Sequence, residues 1–140
     1  DVLRMKDQRY AKAVIDHEKV HGSQPGKMLL KKLYARTSNG YIPLGEMIIE
    51  GGVEWALDRA GKKPPSRFME ENSNHTPLYA IYREFVHDLE RHQKGVVRQI
   101  YRAAKRGGPR AVGRIIEEIP GIESLTEQYS DILLKKQQLN

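Results

Sequence analysis

A chain of 140 residues with 39% apolar side chains is the size of one domain, large enough for a real core and too short for two. Charged residues make up 30%, the formal balance is +6 and the pI is about 9.5, which favours an anionic partner, nucleic acid ahead of an anionic membrane surface. The lack of cysteine excludes disulfide frameworks, thiolate catalysis and cysteine-ligated zinc, and no run approaches the roughly 18 apolar residues of a membrane span or the pattern of a signal peptide.

Breakers divide the chain into segments of helical rather than alternating periodicity. The first helix is predicted from about Leu3 to Val20, ending at Gly22 in GSQPG, and a second from about Lys27 to Ala35, ending at TSNG. Pro43 suits the first turn of PLGEMIIEGGVEWALDRAG and Gly61 the position past its end, with Gly51 and Gly52 bending or splitting the element. KKPPSRFMEENSNHTP reads as loop with at most a short helical turn. Pro77 opens the longest helix, about 77–106. A short helix follows from Pro109 to Ile119, and Ser124 with Glu127 reads as the capping box of a final one. GYI is the only strand-like run. The expected fold is all-α: a single-domain bundle of five to seven helices over residues 1–140, with one long amphipathic helix.

Residues 17–21 read HEKVH. Two histidines four apart on a helix point the same way, so His17 and His21 can reach one metal ion while Glu18 polarises a bound water. The pentapeptide resembles the zinc helix of the zincin peptidases. A third ligand would come from IIEGGVEWALD, where Glu50 or Glu54 is faintly similar to the glutamate helix of the gluzincin branch. The chain departs from that pattern. The 16 residues before His17 are helical where those enzymes place a sheet, Lys19 puts a cation inside the motif, and Gln24 and Lys27 stand where the longer metzincin form needs glycine and histidine. On these departures the expectation is no metal ligand, no catalytic residue and no cofactor.

The densest signal lies between Arg91 and Ile116, with eight basic residues and no acidic one. At 100° per residue, Arg91, Lys94, Arg98, Arg102 and Lys105 fall within about 80°, opposite Phe85, Val86, Leu89, Val96, Val97, Ile100 and Ala104. On a single helix about 45 Å long, such a stripe would follow a phosphate backbone, with Arg106 beside it and Arg110 and Arg114 extending it past the turn. RAAKRGGPRAVGRIIEEI also resembles, loosely, a helix-turn-helix, although Pro109 crowds the turn and the second helix offers no Asn, Gln, Ser or Thr for base edges. Tyr79, Tyr82 and Tyr101 are read as core residues rather than base-stacking platforms, Trp55 as a packing anchor or a subunit contact, and His87 and His92 as surface residues.

These readings combine into a non-enzymatic, nucleic-acid-binding structural protein, coat- or nucleocapsid-like, that self-assembles and grips phosphates through Arg91, Lys94, Arg98, Arg102, Lys105, Arg106, Arg110 and Arg114. No membrane partner is expected, and a virion is the first location, the cell interior the second. The alternatives are a sequence-specific helix-turn-helix-like DNA-binding regulator and an HExxH zinc metallopeptidase.

Overall fold

Helical periodicity dominates the fold as it dominates the sequence. The computed structural model describes residues 2–24, 30–71 and 76–139. In chain order these form α1 (Val2–Ser23), β1 (Ala35–Thr37), β2 (Gly40–Ile42), α2 (Leu44–Arg59), α3 (Pro65–Glu71), α4 (Leu78–His92), α5 (Val96–Arg106), α6 (Pro109–Glu117) and α7 (Ile122–Leu139). The architecture is an all-α helical bundle, and no described helix is long and apolar enough to cross a membrane.

The bundle is organised around α2. Leu44, Met47, Ile48, Ile49, Val53, Trp55 and Leu57 are all buried along it, as expected of a helix covered on most sides. Trp55 is a packing anchor, with the Arg59 guanidinium over its ring. Gly51 and Gly52 do not split α2, which runs unbroken through them; they let neighbours approach it. A Cβ on Gly51 would lie 2.1 Å from the Tyr82 carbonyl oxygen, and one on Gly52 would lie 2.3 Å from the Tyr101 hydroxyl. The glycine pair is thus the contact surface that receives α4 and the tyrosine of α5.

The long helix expected over 77–106 is two helices. Backbone at Gln93 is extended, and Gly95 takes the left-handed conformation at φ 85°. Glu90 fastens the break: its carboxylate accepts the Gly95 and Val97 amides at 3.0 and 2.9 Å, capping the first turn of α5. The buried positions Tyr82, Val86, Leu89, Val96, Ile100 and Ala104 keep three-, four- or seven-residue spacing across the interruption, which is why the periodicity hides it.

Three other boundaries differ from expectation. Residues 27–29 of the second expected helix lie outside the described residues. Beyond them Leu30 leads into a turn, and Ala35 begins a two-stranded antiparallel hairpin with Ala35 opposite Ile42 and Arg36 opposite Tyr41. Pro65–Glu71 is a helix, held by a two-bond Arg67–Asp58 fork at 2.8 Å. Ser124 is not a cap: α7 starts at Ile122 after Gly121, and Glu127 instead accepts the Ser38 amide and hydroxyl at 2.8 and 2.6 Å, pinning the hairpin to α7.

Candidate metal centre

Helix periodicity puts His17 and His21 on one face of α1, and α2 crosses that face with Glu50. His17 Nε2 and His21 Nε2 are 2.9 Å apart, and Glu50 Oε2 lies 3.1 Å from the first and 2.9 Å from the second. Donors around a tetrahedral ion with bonds of 2.0–2.2 Å are separated by roughly 3.3–3.6 Å, so the triangle needs to open by only a few tenths of an ångström to hold one. The Glu18 carboxylate reaches the same place: its oxygen and the ring nitrogens of His17 and His21 all lie within 4.8 Å of one another.

The far side of the His21 imidazole is tied to the protein by Gln24, and the tie places a proton on Nδ1. Gln24 Nε2 donates to the Ile49 carbonyl at 2.9 Å and to the Tyr101 hydroxyl at 2.7 Å. A carbonyl can only accept, so the amide is oriented and its Oε1 must receive a proton from His21 Nδ1, 2.9 Å away. Tyr101 in turn donates to the Ile48 carbonyl at 3.0 Å. With Nδ1 donating to Gln24, His21 turns Nε2 to Glu50 Oε2, and a proton or a metal ion joins the two atoms across 2.9 Å.

His17 is backed by Glu54, one turn beyond Glu50 on α2. Its Nδ1 lies 3.6 Å from Glu54 Oε1, just beyond a hydrogen bond, and is the one buried side-chain nitrogen or oxygen without a hydrogen-bond partner among the described residues. Glu54 has no exposed surface and is held from below. The Ser66 hydroxyl and amide donate to its two oxygens at 3.2 and 3.4 Å, and the buried Arg83 guanidinium donates to that hydroxyl. Arg83 is itself paired with Glu70 at 2.8 Å.

Two carboxylates therefore face two imidazoles in a partly dehydrated site, and the surplus is negative. Burial on its own would push the His17 pKa down, but the contacts with Glu50 and Glu54 outweigh it and raise it to about 9. Burial likewise pushes Glu50 up, and His17 and His21 override it and hold the carboxyl below its usual range. The cluster draws in positive charge, as a proton or as a metal ion. Two imidazoles and one carboxylate, with the fourth side open, are the ligand set of catalytic rather than structural zinc sites.

The open side faces a cavity of about 410 Å³ lined by Tyr10, Val14, Met69, Pro77, Leu78 and Tyr79 together with the acidic and imidazole groups. The Tyr79 ring stacks parallel on His17, 5.9 Å between centroids. Burial and the nearby Glu50 and Glu46 keep its phenol protonated by raising its pKa.

From sequence, His17, His21 and Glu50 or Glu54 are weighed as ligands and no metal is expected there; the fold brings His17, His21 and Glu50 together, with Glu54 behind them. Gln24, Tyr101, Ser66 and Arg83 carry no recognisable signal. The expected phosphate-binding residues are not brought onto one rod. Arg91 ends α4 and pairs with Asp88, Lys94 sits in the break, and Arg98, Arg102, Lys105, Arg106, Arg110 and Arg114 are exposed on α5 and α6. Tyr82 is buried, Tyr101 is turned inward, and His87 is partly buried against Asp58 at 2.7 Å rather than free on the surface. No protein-family model, curated protein or solved structure gives a significant match to the chain.

Proposed function

We propose that this chain is a zinc-dependent hydrolase of the peptidase class, with His17, His21 and Glu50 as ligands. The observation that carries the reading is the convergence of three lone-pair donors from two helices, with the His21 imidazole oriented on its far side by Gln24 and the Glu54 carboxylate standing 3.6 Å behind His17. Such outer contacts fix the tautomer and raise ligand basicity.

Bound zinc supplies Lewis acidity toward a carbonyl oxygen and lowers the pKa of water. The chain's own groups do the rest. Glu18, next to the ligands and lining the cavity, takes a proton from the attacking water and returns it to the leaving nitrogen. Tyr79, kept protonated against His17, is the O–H donor available to the oxygen that gains charge. The hairpin, which contains the only strands among the described residues, does not line this cavity. Substrate is therefore gripped by apolar walls, favouring a peptide with a bulky uncharged side chain next to the scissile bond.

Glu18→Gln separates binding from chemistry. The zinc-loaded variant is expected to keep one equivalent of metal and lose hydrolysis of a peptide library by about 10²–10⁴-fold, the usual contribution of a general base. Zinc-loaded wild type that cleaves nothing in the library, or a Glu18→Gln protein as active as wild type, contradicts the proposal.

A further inference from the structure

A different face of the molecule carries a second chemistry. α5 turns Val96, Val97, Ile100 and Ala104 inward, and α6 turns in Val112 and Ile116. Outside, Arg98, Arg102, Lys105 and Arg106 occupy about 100° of α5 at 100° per residue, and Arg110 and Arg114 follow on α6. All six are exposed, and none forms an ion pair among the described residues. No acidic residue interrupts them, and the preceding one, Glu90, turns its carboxylate onto the amides that open α5.

We infer that this face binds the phosphate backbone of duplex nucleic acid without reading its sequence. Like charges at three- and four-residue spacing repel, so an unmixed face destabilises its own helix unless an anion answers it. Their Cβ separation of about 5–6 Å is comparable to the spacing of phosphates along a strand, which a row of such cations neutralises.

The alternatives lack their own features. A lipid surface calls for apolar anchors among the cations, and among the described residues every exposed large apolar side chain lies outside α5 and α6. A single strand calls for a stacking aromatic, and Tyr101, the one aromatic of α5 and α6, points its hydroxyl inward to Ile48. Reading adenine calls for an Asn or Gln that bonds the base edge bidentately, and α6 has neither. The inference is independent of the metal centre, since none of the six cations touches it.

Fluorescence anisotropy of the full chain with a labelled duplex of about 20 base pairs, between 50 and 300 mM salt, tests it. Contact with four phosphates gives a log-log slope of about −3.6, equal for two unrelated sequences. Arg98→Gln with Arg102→Gln flattens the slope by about 1.8 while leaving helicity and zinc content unchanged. A slope near zero, an unaltered slope in the double variant, or capture by phosphatidylserine vesicles with no duplex binding overturns the inference.

Discussion

Glu50 and Glu54 divide their labour although both are glutamates one helical turn apart on α2. Glu50 faces the two Nε2 atoms, whereas Glu54, buried and held by Ser66, faces the back of His17. The histidine spacing is local and therefore legible in five letters, and the pair of glutamates was legible as a choice of third ligand. Gln24 and Tyr101 were not, because the contact between them joins residues 77 positions apart and rests on packing at Gly52. Their importance can be measured. Gln24→Leu frees the His21 tautomer, and zinc affinity is expected to fall about 10–100-fold, the usual effect of losing such a contact. Competition with a chromophoric chelator reads the change, and an affinity equal to wild type would show that the amide does not orient the ring.

Among elements, the helices were readable because apolar residues recur with the helical period, and proline or glycine marks most of their ends. The break at Gly95 was not, because the buried residues of α4 and α5 keep helical spacing across it. That error mattered: it made one cationic rod of two shorter helices and removed Arg91 and Lys94 from the stripe. Glycines separate the two kinds of constraint. Gly51→Ala drives a Cβ to within 2.1 Å of backbone on α4 and should cost about 1–3 kcal/mol or more by overpacking. Gly95→Ala meets open space and should cost about 1–2 kcal/mol through its left-handed backbone alone. Gly113→Ala, inside α6 with nothing within 4 Å, should gain about 0.4–1 kcal/mol. Urea midpoints of the three variants give the order, and an unharmed Gly51→Ala protein would contradict the close α2–α4 packing.

At the scale of the whole molecule, acid sensitivity follows from how the helices are tied. Burial pushes the Asp58 carboxyl up, but the Arg67 fork and His87 prevail and hold it below its usual value, linking α2 to α3 and α4. A depressed folded-state pKa contributes stability that is present above the unfolded carboxyl value near 4 and is lost as pH falls through the folded one. Thermal unfolding of metal-free Asp58→Asn is therefore expected to show a shallower acid limb than wild type, and an identical limb would contradict the role of that carboxylate. The fold class was readable from periodicity and composition, whereas the meeting of α1 with α2 was not, since nothing local specifies which helices cross. That crossing is the central claim, and metal stoichiometry tests it most directly. Equilibrium dialysis against zinc at neutral pH should leave one tightly held equivalent per wild-type chain, lost in both His17→Ala and Glu50→Ala. A chain that retains no zinc, or one whose zinc survives removal of Glu50, would contradict a site shared between the two helices.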